Sequence, residues 1–186
     1  LAKVEGAYSL VILADNRLIA ARDNAGVRPL AIGRKDGAFI VASETVAFDI
    51  IDADYVRDVE PGEMVVFDDD SLRTGVPKSL RIKDIPPHPH HCIFEYIYFS
   101  RPDSQIFGHS VDKVRRKLGK NLAIAKPVVP KDPRDKIIVI NVPDSSNTAT
   151  MGYVSQTNKM GGSAKLEIGL IRSHYIGRTF IQPQQD

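Results

Sequence analysis

The sequence predicts an α+β chain in which an antiparallel β-layer is followed by the opening of a parallel α/β unit. Three observations carry this. Positions 1–84 hold short apolar, β-rich segments separated by turn residues. A proline-rich break, IPPHPHHC from Ile85 to Cys92, follows them. After it the apolar period becomes helical, and a continuous apolar strand comes next.

Gly6 to Leu13 (GAYSLVIL) reads as the first strand, Asp15-Asn16 as its turn, and Arg17 to Arg22 as the returning strand. Leu30 to Gly33 and Ala38 to Ala42 form a second pair around Lys35-Asp36-Gly37. Glu44 to Ile51 (ETVAFDII) has apolar residues three and four apart and suits a short helix with Ser43 as N-cap. Met64 to Phe67 is another strand, closed by Asp68-Asp69-Asp70 and Gly75. The prolines after Ile85 oppose regular hydrogen bonding, so a domain boundary is expected at 85–93, between 1–84 and 94–186.

In the second part Val111, Val114, Leu118, Leu122 and Ala125 recur at helical spacing, with Ser110 as cap and Asp112 in the first turn. Arg115, Arg116 and Lys117 then read as a solvated face. Lys136 to Asn141 (KIIVIN) is continuous enough for a buried parallel strand, and a helix-length stretch runs to about Gln156. Leu166 to Ile171 (LEIGLI) is the next strand, so strand, helix and strand imply a parallel unit.

Composition narrows the function classes. The 186 residues are 42% hydrophobic and 26% charged with a net charge of +2, which points away from a nucleic-acid scaffold and from a disordered tail. No apolar run approaches the roughly 20 residues of a membrane span, and no charged-then-apolar leader is seen. One cysteine, Cys92, excludes an internal disulfide framework, so a cytoplasmic, reducing compartment is expected. Leu1 stands where an initiator Met would, and Asp186 follows soon after a strand-like Phe180-Ile181; a piece of a longer polypeptide is expected.

Four stretches carry side chains suited to chemistry. The strand-to-helix turn Val142-Pro143-Asp144-Ser145-Ser146-Asn147 would present helix-opening amides to a phosphate or diphosphate, with serine hydroxyls as extra donors or metal ligands. An ordinary N-cap at Asp144 or Ser145 meets the same spacing, and is the commoner case. Arg172, His174, Tyr175 and Arg178 bring donors that could clamp a polyphosphate, or simply line a solvated loop. Arg22 to Leu30 (RDNAGVRPL) pairs two arginines with an acid around a glycine turn and reads as an ion-paired structural corner. His88-Pro89-His90-His91-Cys92 has zinc-ligand types, but adjacent His90, His91 and Cys92 do not readily converge on one tetrahedral ion. Nor does the sequence place a base that would make Cys92 a nucleophile.

GAYSLVIL, RDNAGVRPLAIG, VASETVAFD, VEPGEMVV, FEYIYFSRPDS, VPDSS and IGLIRSHYIGRTFIQP, beginning at Gly6, Arg22, Val41, Val59, Phe94, Val142 and Ile168, resemble amidophosphoribosyltransferases in the same order. The resemblance covers nearly the whole chain. It implies the latter part of an N-terminal-nucleophile glutaminase β-layer followed by the start of a type I phosphoribosyltransferase domain. The implied parent converts phosphoribosyl pyrophosphate and glutamine to phosphoribosylamine, glutamate and pyrophosphate, the opening step of purine synthesis, with purine nucleotides as feedback ligands.

The same resemblance assigns roles by position. Asp144, Ser145 and Ser146 match the pyrophosphate loop, with Ser145 helping to hold Mg²⁺. Arg172, His174 and Tyr175 match the loop that closes over phosphoribosyl pyrophosphate, although other members often have Lys and Arg where this chain has Arg172 and His174. Cys92 matches an iron–sulfur ligand of cluster-containing members. The family's nucleophile is an N-terminal cysteine, whereas this chain begins with Leu1, and its Gly-Thr-rich ribose-phosphate loop has no match here. No catalytic set is complete, so the chain alone is expected to be inactive and to assemble no cluster. A non-catalytic phosphate- or nucleotide-binding regulator is the alternative, and a metal module at His88 to Cys92 a third. Self-association into a homo-oligomer is expected of surfaces a longer chain would cover.

Overall fold

The computed structural model describes all residues except 2, 85, 131, 133, 174 and 176–186. They form two compact units, Leu1–Val114 and Arg115–Asp186. The chain is α+β, with antiparallel sheets in the first unit and a parallel strand pair in the second.

In the first unit, β1 (Ser9–Ala14) and β2 (Arg17–Arg22) form a hairpin. β3 (Ala31–Lys35) and β4 (Ala38–Ala42) form another, turned by Asp36 and Gly37, both at positive φ, the pairing that matches strand twist. Two strands not anticipated from sequence, β5 (Asp54–Asp58) and β7 (Lys78–Arg81), lie at sheet edges, where polar residues are tolerated and alternation is weak. With β6 (Glu63–Phe67) they give one sheet ordered β1-β2-β6-β7 and another ordered β4-β3-β5. Ala20, Leu30, Ile32, Val59, Val65 and Phe67 make the core of this unit.

The short helix α1 (Val46–Ile50) buries Phe48 against β3, where a Cβ on Gly33 would lie 2.7 Å from the Phe48 ring. Its N-cap is Thr45 rather than Ser43, and the Thr45 side chain does not cap it. The Thr45 hydroxyl instead accepts from the Gln105 amide at 2.8 Å, and Glu44 accepts from the Arg101 amide and the Ser104 hydroxyl, each at 2.8 Å. The acidic run after β6 is more than a turn. Asp68 caps α2 (Asp69–Thr74) in a reciprocal box with Ser71, and Gly75 closes it in the left-handed conformation.

Residues 86–92 are not a free linker. The amides of His88, His90 and Cys92 donate to the carbonyls of Asn24, Ala25 and Val27 at 3.2, 2.7 and 3.0 Å. Pro87 and Pro89 fall at the alternate positions, where an edge strand needs no donor. The strap thus joins the first unit, as does a π-helical turn, Glu95–Phe99. Tyr96 of that turn packs with Ile106 and Val111, beside the small hairpin of β8 (Gln105–Ile106) and β9 (His109–Ser110). The division between compact units therefore falls after Val114, inside α3 (Val111–Ala125), and not at 85–93.

The second unit opens with the rest of α3. Its buried positions are Arg115, Gly119 and Ala123, while Leu118 and Leu122 are exposed, so the leucine stripe expected to face the core does not. The reason is the neighbour. A Cβ on Gly119 would sit 1.8 Å from the Ala149 carbonyl oxygen, and one on Gly152 would sit 2.1 Å from that of Arg116. Two backbones touch here, and only small residues allow it. Arg115 is 2% exposed, which corrects the solvated-face reading for that residue.

Next, β10 (Ile137–Ile140) pairs in parallel with β11 (Ala164–Glu167) across α4 (Asn147–Lys159). The strand β11 begins two residues before the expected Leu166. The Asn158 side chain exchanges two hydrogen bonds with the backbone of Ala164, at 3.0 and 2.7 Å, and sets that start. Ile138 and Ile140 are half exposed, contrary to a fully buried strand, because β11 is the one strand paired with β10 among the described residues.

Replacing Gly119 by Ala should destabilise the chain by about 1–3 kcal/mol through overpacking, despite the roughly 1 kcal/mol gain in helix propensity. Leu118→Ala should cost less than about 1 kcal/mol, against about 2–5 for a core leucine. Urea denaturation followed by circular dichroism checks both. The His91 ring stacks on Phe107 at 3.9 Å, and burial first, then the Arg22 charge, hold its imidazole below the usual range, with Asp58 opposing. Neutral His91 is thus favoured in the fold. That contribution is complete above the unfolded value of about 6.5 and is lost as pH falls through the lower folded value. The melting temperature should fall more steeply below about pH 6.5 in the parent than in His91→Phe.

Candidate functional site

The turn after β10 is built by what its residues withhold. Pro143 has no N–H and cannot extend the strand. Asn141 closes the turn by donating from Nδ2 to Asn147 Oδ1 at 2.5 Å, and the peptide Pro143–Asp144 is cis. Ser146 stands at the N-cap of α4, yet its hydroxyl donates back to the Val142 carbonyl at 2.5 Å and caps nothing. The ordinary-cap reading of Asp144 or Ser145 therefore fails. No side chain caps α4, Ser145 is half-buried, and its hydroxyl has no hydrogen-bond partner among the described residues. Within the first turn the Thr148 hydroxyl is also buried without a partner among those residues. The start of α4 thus has no side-chain cap, and the Asn147 amide donates to the Asp144 carbonyl at 3.2 Å.

The structure brings Arg172 to this turn. Its Nη1 lies 3.2 Å from Asp144 Oδ2, with both side chains more than half exposed. Tyr175 is fully exposed and covers nothing among the described residues. His174 lies outside the described residues, as does Arg178. The Gly119 and Gly152 contact and the Asn158 bridge, which sequence reading passed over, hold α4 and so place the turn. Glycine inside two helices, each disfavoured by about 1 kcal/mol, was the available signal.

In the first unit, the Arg22 turn is a satisfied corner rather than an ion pair. Arg22, 2% exposed, donates to the carbonyls of Arg28, Val59 and Gly26 at 2.9, 2.6 and 2.8 Å. Burial lowers the pKa of its guanidinium from the ordinary value, opposed by the nearby carboxylates of Asp58, Asp23 and Glu60. Asp23 accepts from the amides of Tyr8, Ala25 and Val27 at 3.3, 3.0 and 3.2 Å. The ion pair belongs to Arg28, whose Nε lies 2.5 Å from buried Glu95 Oε1, although not in hydrogen-bond alignment. Glu95 Oε2 accepts from the Ser100 hydroxyl at 2.7 Å. Cys92 is a half-buried free thiol, and no group of three or more His, Cys, Asp or Glu fit for a metal occurs among the described residues.

Antiparallel sheets are followed along the chain by a parallel strand–helix–strand unit with an uncapped turn at its centre. Known proteins share this sequence and fold in part. A family described as glutamine amidotransferase domain matches residues 1–49. Amidophosphoribosyltransferases from Glycine max (chloroplastic) and Mycobacterium tuberculosis are 44% and 43% identical, each over 98% of this chain and over 29% and 31% of their own length. That of Bacillus subtilis is 41% identical over 100% of the chain and 35% of its own. A solved structure of the allosteric regulatory enzyme of purine biosynthesis superposes with a TM-score of 0.80 at 44% identity, covering 97% of this chain and 35% of that one. Glutamine phosphoribosylpyrophosphate amidotransferase from B. subtilis, complexed with ADP and GMP, gives 0.79 at 43% identity, over 97% and 36%. This chain is homologous to amidophosphoribosyltransferases, and it spans about a third of the length of the curated relatives it matches.

An exposed ion pair contributes about 0–1 kcal/mol. Asp144→Asn and Arg172→Ala should therefore shift the urea unfolding free energy by less than about 1 kcal/mol each, leaving both variants folded for binding work.

Proposed function

We propose that the chain serves in the transfer of ammonia, released from glutamine, to phosphoribosyl pyrophosphate, giving phosphoribosylamine and pyrophosphate. The first unit supplies glutaminase scaffold and the second supplies the pyrophosphate cradle. The observation that carries this is the uncapped start of α4 with Asp144, Ser145 and Ser146 around it and Arg172 within ion-pair distance of Asp144. In the absence of ligand the guanidinium pairs with Asp144; a bound diphosphate, with more charge and more acceptor oxygens, competes for it. The turn's donor set suits Mg²⁺ arriving with the diphosphate. That ion takes one or two carboxylates plus phosphate oxygens and waters, so Asp144 and the Ser145 hydroxyl would hold one side of its shell. The ion would neutralise phosphate charge as pyrophosphate leaves.

The 186-residue chain by itself is expected to bind without turnover. Its one cysteine, Cys92, sits in the strap, where its amide is bonded to the Val27 carbonyl at 3.0 Å, and no base is placed beside it by sequence. An iron–sulfur role for Cys92 would need ligands from elsewhere. Exposed Leu13, Ile168 and Ile171 support assembly with further protein, including copies of itself. One free cysteine suits a reducing compartment such as the cytoplasm, and no helix among the described residues is long and apolar enough to cross a membrane. A second reading, a regulator that binds purine nucleotides without catalysis, is favoured by the ADP and GMP complex of the B. subtilis relative.

Calorimetric titration separates the two. Magnesium pyrophosphate should bind the chain, and Ser145→Ala or Arg172→Ala should weaken it by roughly 10- to 100-fold, as expected for hydrogen bonds to a charged group. Binding of GMP or ADP with no response to pyrophosphate would favour the regulator, and silence toward all of them would end the cradle reading.

A further inference from the structure

The strap from Pro86 to Cys92 carries a device the proposed reaction does not use. An extended backbone sends alternate side chains to opposite faces. The amides of His88 and His90 both donate to the loop Asn24–Ala25, so these two residues share one face and His91 takes the other, where it stacks on Phe107. This separates the histidine run into a pair and an outsider, a division the bare motif HPHHC does not reveal.

The pair converges. His88 Nδ1 and His90 Nε2 lie 2.5 Å apart, with ring centroids at 4.4 Å. Two imidazole nitrogens at that distance share either a proton or a cation. Nitrogens bound to one ion at about 2.0–2.1 Å stand about 3 Å apart, so a small rotation of two exposed rings admits it. Both rings line a cleft of about 490 Å³ together with Glu5, Asp23, Asn24 and Lys83. Asp23 is engaged by backbone amides, which leaves Glu5 as the cleft's uncommitted carboxylate and Lys83 as an opposing cation.

We infer that His88 and His90 chelate one first-row transition cation of the Zn²⁺, Ni²⁺ or Cu²⁺ type at this cleft. Imidazole nitrogens select these ions over Mg²⁺ and Ca²⁺, which prefer oxygen. No third His, Cys, Asp or Glu joins the pair among the described residues, so water or a small carboxylate completes the shell from the cleft side. The geometry differs from a four-ligand zinc module at His88 to Cys92, because His91 points away. It is also independent of the pyrophosphate cradle, which belongs to the other compact unit.

The test is calorimetric titration of the tag-free full chain with NiCl₂ and with ZnCl₂. One equivalent should bind. His88→Ala and His90→Ala should each weaken binding at least tenfold, while His91→Ala should leave it within about twofold. Thermal melts of each variant confirm folding, which the backbone-held strap should preserve. No binding by the parent chain overturns the inference, as does retention of affinity in both single variants or loss in His91→Ala alone. A hydrogen bond between two imidazoles, with no metal affinity, would be what remains.

Discussion

A buried guanidinium must have every donor answered, and in this chain the answer shapes the first unit. Arg22 directs Nε, Nη1 and Nη2 to the carbonyls of Arg28, Val59 and Gly26, so the loop between β2 and β3 and the approach to β6 are tied to one side chain. Its neighbour Asp23 gathers amides from Tyr8, Ala25 and Val27. Opposite charges are thus both buried, each hydrogen-bonded to backbone rather than to the other. Removing either would strand several polar groups, the situation in which desolvation costs most. The guanidinium also lies 5.3 Å over the Phe107 ring, which in turn carries His91.

From that corner the other joints of the unit are assembled. With 23–28 held in shape, the carbonyls of Asn24, Ala25 and Val27 point outward and receive the proline strap. Arg28 is left aimed at Glu95 and sits 4.4 Å over the Phe99 ring. Glu44 and Thr45 clasp the backbone and side chains of 101–105. Segments separated by some sixty residues in sequence are therefore joined by pairs of polar side chains and main-chain groups. These joints explain why residues through Val114 pack as one unit although the prolines suggested an earlier break.

The second unit depends on a different constraint, the close approach of two helices. Gly119 and Gly152 let α3 and α4 meet at backbone distance, and Tyr153 adds a hydrogen bond to the Lys126 carbonyl at 3.1 Å. With α4 held, its first turn presents amides beside Asp144 and Ser145, and Arg172 reaches back across the turn. An exposed ion pair of this kind adds little stability and is readily exchanged for a better anion.

Much was legible without coordinates. The hairpins β1–β2 and β3–β4, the helices α3 and α4, and the parallel order of β10 and β11 follow from period-2 and helical patterning with turn residues between them, because those patterns report a local geometry. The order of motifs also pointed to the correct relatives. The box at Asp68 and Ser71 was readable from spacing and Gly75, yet an acidic run resembles a turn. What only the tertiary structure decided is which partner each residue meets. Thr45 was turned from capping to docking by the Gln105 amide, and the buried face of α3 was set by a helix that approaches too closely for leucine. Arg22 found carbonyls rather than a carboxylate. Patterning is a property of neighbours along the chain, whereas these choices depend on groups brought in from distant positions, and no local signal carries that information.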